Sequence, residues 1–118
     1  KEADGGGLSW ICTKVDEDER LTDKEWTTLR FFREYAEIHE APAAQCYLGM
    51  KGAELMLKME RLKFNFGTLR PNIKEVISLV DDKMMMEALK KYWVMANALF
   101  ELYMPEIKMP RLCGCNAI

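Results

Sequence analysis

A basic excess is missing from this chain. Its 17 lysines and arginines stand against 19 aspartates and glutamates, a net of −2 with the single histidine neutral. So small a charge sets up no field that would draw in nucleic acid or an anionic bilayer. No apolar run approaches the ~20 residues of a membrane-spanning helix, so no membrane span is expected. The one histidine, His39, cannot supply the repeated Glu-x-x-His pattern of a di-iron bundle. Asp16 to Glu19 lacks the glycine and the distal glutamate of a calcium loop. Internal repeats are missing, and so is low-complexity sequence beyond Gly5 to Gly7. The polar start, Lys1 to Gly7, has no signal-peptide pattern, which predicts a mature form if the protein is exported. No catalytic motif stands out, so neither an enzyme nor a cofactor is expected.

What is there reads as an all-α fold. The 118 residues suffice for one hydrophobic core. Residues 1–7 are expected to be a flexible tail and 8–118 a single helical domain. Leu8 to Val15 is apolar but alternates poorly, so an ordered strap is expected there, followed by a solvated acidic loop at 16–19. Thr22 and Glu25 have the spacing of a capping box, with Leu21 and Trp26 as its hydrophobic staple. A first long helix over 22–40 follows, carrying Trp26, Leu29, Phe32, Ala36 and His39 on one face. Arg30 with Glu34 and Arg33 with Glu37 are spaced to pair along its outside. Pro42 ends it and opens a second helix, 42–66. There Leu48, Gly52, Leu55, Met59, Leu62 and Phe66 form one apolar row, with Leu57 in a row beside it. Gly67 stands where a C-terminal cap belongs. Asn72 and Glu75 offer a cap pair for a short helix, 72–80. The last helix, 82–104, is apolar around most of its circumference and needs several neighbours. The economical arrangement is a compact bundle of about four helices.

Four cysteines in a short chain favour two disulfides and an oxidising compartment, hence a secreted protein. Cys113 and Cys115 are too close to bond to each other without strain. Their partners are then Cys12 and Cys46, as 12–113 with 46–115 or as 12–115 with 46–113. Either pairing staples the N-terminal and C-terminal segments to the bundle. In the chain-entropy model each closed loop of this size contributes about 4 kcal/mol. Two other uses of these residues compete. The cysteines with His39 could ligate zinc, although only the tail has short cysteine spacing. The ending Cys115-Asn116-Ala117-Ile118 has the outline of a prenylation box, with a non-aliphatic Asn116.

The candidate functional surfaces follow from charge and from methionine. Nine methionines concentrate on the two long helices. Thioethers suit an adaptable core or an adaptable contact surface. Met84, Met85 and Met86 are consecutive, so at least one must face outward. Met84 and Met86 with Lys83, Lys90 and Lys91 form one candidate partner surface. Lys51, Lys58 and Arg61 on the second helix form another. The charge is also unevenly distributed. Residues 1–45 hold six basic against eleven acidic side chains, a net of −5, and residues 46–118 hold eleven against eight, a net of +3.

The expected function is non-enzymatic protein–protein recognition by a secreted, disulfide-stabilised helical domain of the ligand, gamete-recognition or effector type. Its partner is a protein or receptor. The alternative is a carrier of a small apolar ligand in a cavity between helices, lined by Trp26, Phe32, Met59, Trp93 and Phe100. The segment Val80-Asp81-Asp82-Lys83-Met84, with Asn97-Ala98-Leu99 and Leu112-Cys113 downstream, resembles stretches of secretoglobins. Those are helical carriers of hydrophobic molecules, and the resemblance implies the carrier reading. The cysteine spacing departs from that family, and no family is assigned.

Overall fold

A computed structural model describes residues 9–39 and 50–108 of the chain. The expected tail 1–7, the start of the second helix at Pro42, and Cys46, Cys113 and Cys115 lie outside the described residues. Among those described, every regular element is helical. In order they are α1 (Ser9–Asp18), α2 (Asp23–His39), α3 (Met50–Arg61), a 3₁₀ turn (Phe66–Leu69), α4 (Arg70–Asp81) and α5 (Met85–Tyr103). The Cα radius of gyration is 13.3 Å, near the ~13.5 Å of a compact chain this long.

The segment expected to be a strap is instead part of a helix. Ile11, Cys12 and Val15 fall on one side of α1, where all three are buried. Their spacing of one and four is a helical stripe too short to stand out from the sequence. Asp16, Glu17 and Asp18, expected in a loop, form the last turn of the same helix. Negative charge is unfavourable at that end of a helix dipole. Two cations offset it. Lys14 lies 3.5 Å from Glu17, and the Arg70 guanidinium donates hydrogen bonds to the Glu19 carbonyl and, at 3.1 Å, to the Arg20 carbonyl.

The capping box at the start of α2 forms as its spacing predicts. The Thr22 N–H donates to Glu25 Oε1 (2.9 Å) and the Glu25 N–H to Thr22 Oγ1 (3.1 Å), while Leu21 is buried beneath. Leu29, Phe32 and Ala36 face the core. Arg33 pairs with Glu37 at 3.3 Å, whereas Arg30 donates to the Thr27 hydroxyl rather than to Glu34.

The second helix is shorter than expected at its C-terminal end. It stops at Arg61, five residues before Phe66, in a Schellman turn whose left-handed residue is Lys63 (φ 63°). The Phe64 N–H donates to the Met59 carbonyl and the Lys63 N–H to the Glu60 carbonyl, both at 3.0 Å. Gly67 therefore caps nothing and sits in the 3₁₀ turn, whose N-cap is Asn65. A Cβ at Gly67 would stand 2.5 Å from Asp18 Oδ2, the tip of an exposed side chain at the end of α1.

The same device separates α4 from α5. Lys83 has φ 63°, the Met84 N–H donates to the Leu79 carbonyl (2.8 Å) and the Lys83 N–H to the Val80 carbonyl (2.9 Å). The core helix consequently begins at Met85, not at 82. Pro71 in its first turn lets α4 start at Arg70, ahead of the Asn72–Glu75 pair, with no side-chain cap. Ile73, Val76, Ile77 and Val80 of α4 face α5, and this antiparallel pair is the most extensive helix packing in the molecule. On α5, Ala88, Leu89, Tyr92, Trp93, Met95, Ala96, Leu99 and Phe100 are buried. Phe32 of α2 meets Tyr92 with ring centroids 5.7 Å apart.

Candidate recognition surface

The two partner surfaces expected from the sequence differ in how far the structure leaves them open. At the start of α5, Met84 is 43% exposed and Lys83 is exposed beside it. Met85 packs on the core, and Met86, Lys90 and Lys91 are half-buried. Lys91 is also engaged, at 2.9 Å, by Glu75 of α4. The surface is thus reduced to the Lys83–Met84 turn.

The basic group on α3 is more open. Gly52, Leu55, Met56 and Met59 point inward and fix the helix's rotation. Successive helical residues are turned by about 100°, which carries Lys51, Lys58 and Arg61 to the outside, and all three are exposed. Lys51 makes a long contact, 4.0 Å, with Glu54. Lys58, Arg61 and Lys63 form no ion pair among the described residues.

Two residues of this surface were misplaced by the sequence pattern. Leu57 and Leu62 were expected in the apolar rows of the core, and they are instead 48% and 61% exposed. Leu57 lies two positions from both Leu55 and Met59, about 200° around the helix, so it cannot share their face. Leu62 falls beyond the last turn, where the chain has left helical register. An exposed leucine pair among unpaired cations makes an amphipathic surface with binding character.

The inner neighbours of this face are fixed by charge. Lys14 of α1 is bridged to Glu60; burial alone would lower its pKa, and the hydrogen bonds and charges of Glu60 and Glu17 outweigh that, leaving a net upward shift. Glu25 of α2 is bridged to Lys74 of α4. Burial alone would raise its pKa, and the hydrogen bonds from Lys74 and Thr22 outweigh that and hold it below the ordinary carboxylate value. Asp16 accepts from the Leu21 N–H (2.7 Å) and from Trp26 Nε1 (3.4 Å). These groups are committed to joining helices.

The residues expected to line a cavity come together in one contiguous core. Phe32, Met59 and Phe100 are fully buried, Trp93 nearly so, and Trp26 packs at the edge. Cys12 is buried and has no disulfide partner among the described residues, and as a thiol its pKa is pushed by burial up to about 12. The other three cysteines of the expected staple lie outside the described residues. His39, expected on the apolar side of its helix, is exposed and stacks against Tyr35 with ring centroids 4.3 Å apart. Among the described residues no three His, Cys, Asp or Glu side chains converge as metal ligands, and no helix is long and apolar enough to cross a membrane.

Comparison with known proteins finds no matching family model, no matching curated protein and no matching solved structure. The class is therefore defined by the fold: an all-helical protein with an open basic and apolar face on α3.

Proposed function

We propose that this protein is a secreted, disulfide-stabilised helical binding module that recognises another protein and performs no chemistry of its own. The observation that carries this is the outward face of α3. On α3 and the turn that ends it, Lys58, Arg61 and Lys63 make no ion pair among the described residues, and their chain neighbours Leu57 and Leu62 are exposed. Burying such leucines against a partner is favourable, and the flanking cations select an acidic one. Glu54 and Glu60 on the same helix favour a protein surface of mixed sign over a polyphosphate, which both carboxylates would repel.

The test is a photo-cross-linker placed at Leu57, with a second at exposed Ser78 of α4 as control. A protein captured at Leu57 and not at Ser78, and lost when Lys58→Glu and Arg61→Glu are introduced, supports this function. Equal capture at both positions counts against it. Intact mass with and without reductant checks the disulfides, and a mass gain of four protons on reduction is expected.

A further inference from the structure

The surface that α3 would accept, apolar side chains flanked by carboxylates, is present on the chain itself. On α2 the inward residues Leu29, Phe32 and Ala36 leave Phe31 and Ile38 on the opposite side, 57% and 75% exposed. They are seven positions apart, two helical turns or ~10 Å, and so form one short ridge. Glu34 lies between them, exposed and with no ion pair among the described residues. Glu37 flanks the ridge and is shared with Arg33. Asp23, also exposed, lies further along α2, with Lys24 and Arg30 as the basic exceptions. The excess of −5 in residues 1–45 and of +3 in residues 46–118 has the same polarity.

We infer that α3 of one molecule docks on α2 of a second copy, with Leu57 and Leu62 against Phe31 and Ile38, and Lys58, Arg61 and Lys63 facing Glu34 and Glu37. This rests on the recognition function proposed for α3 and names one partner for it. The contact is head-to-tail: each molecule uses a different face from its neighbour, so the association does not close at two copies unless the geometry happens to form a ring. With two large apolar side chains on each face the contact is weak and depends on concentration. Its ionic component is screened by salt.

Sedimentation velocity of the full chain tests it. At low salt the weight-average sedimentation coefficient is expected to rise with concentration, and at high salt to return to the monomer value. Two variants separate the faces: Lys58→Glu with Arg61→Glu alters α3, and Phe31→Ser with Ile38→Ser alters α2. The second changes only exposed side chains and leaves the core intact, which far-ultraviolet circular dichroism checks for both. Each variant alone is expected to be monomeric. Mixed, they retain one intact face apiece and are expected to form a one-to-one heterodimer and nothing larger. A full chain that stays monomeric at every concentration, or association that persists in both variants, overturns the inference. Capture of a different protein at Leu57 by a monomeric chain would overturn self-association while leaving the recognition function standing.

Discussion

The α4–α5 hairpin and the α1–α2 corner enclose the same core by different means. In the hairpin, rows of aliphatic and aromatic side chains meet along two antiparallel helices, and Lys91–Glu75 is the one ion pair between them among the described residues. At the corner, fewer side chains are buried; Asp16 holds the Leu21 N–H and Arg70 the Glu19 and Arg20 carbonyls, while the side-chain ion pairs Lys14–Glu60 and Lys74–Glu25 tie the helices to their neighbours. The hairpin draws its strength from area removed from water, about 25 cal/mol per Å² of apolar surface. The corner draws on hydrogen bonds that are individually modest and costly mainly when one partner is removed. The lesson is that depth of burial, more than the number of contacts, decides where the molecule is vulnerable.

The largest effect is therefore expected in the core that the two regions share. Phe32→Ala empties a fully buried site beside Tyr92, and a loss of about 3–5 kcal/mol is expected in urea unfolding. A loss below about 1 kcal/mol would show a core able to collapse around the gap.

The next effect is expected from Cys12, the most deeply buried titratable group at the corner. Burial raises its thiol pKa from the ordinary 9.0 to about 12. A raised pKa leaves stability whole below the unfolded value and removes it as pH rises towards the folded one. The reduced protein should thus lose stability between about pH 9 and 12, in the same direction as Lys14, whose pKa is also raised. Cys12→Ala should flatten the alkaline slope measured by thermal unfolding. An unchanged slope would assign it to Lys14 and other groups.

A smaller loss, about 2 kcal/mol, is expected for Arg70→Ala, which leaves the carbonyls at the end of α1 without their donor. Arg70→Lys should recover only part of it, because a lysine cannot present the guanidinium fork to both carbonyls. Equal behaviour of the two variants would mean that charge alone holds the corner.

The smallest effect is a gain. Lys63→Gly and Lys83→Gly each relieve a left-handed residue and are expected to stabilise by up to about 1 kcal/mol. Urea midpoints unchanged in both would show that the lysine stems recover the strain by packing.

The hairpin was legible in the sequence and the corner only partly so. Ile73, Val76, Ile77 and Val80, and the rows on the last helix, repeat at helical spacing for long enough to be read directly. The capping box at Thr22 and Glu25 is local chemistry and was equally readable. Lys63 and Lys83 were not, because a left-handed cap is expected at glycine and the nearby Gly67 drew that expectation to itself. Nor could Arg70 be matched to Glu19 and Arg20, since nothing along the chain marks a contact made 50 residues away. The exposed Leu57 and Leu62 were hidden by their hydrophobicity. The rotation of α3, set by Leu55, Met56 and Met59, is what turns Leu57 outward, and the end of the helix at Arg61 is what takes Leu62 out of the row.

The hold of Arg70 on the α1–α2 corner has a kinetic consequence. The α4–α5 hairpin closes over a short stretch of chain and needs little loop entropy, whereas the corner cannot be locked until the start of α4 returns to it across 50 residues. The hypothesis that follows is an order of assembly in which the hairpin forms early and α1 is fastened last. Arg70→Ala should then accelerate unfolding while leaving the folding rate almost untouched, which stopped-flow chevrons would measure. A folding rate that falls with the stability would place the corner in the folding nucleus instead.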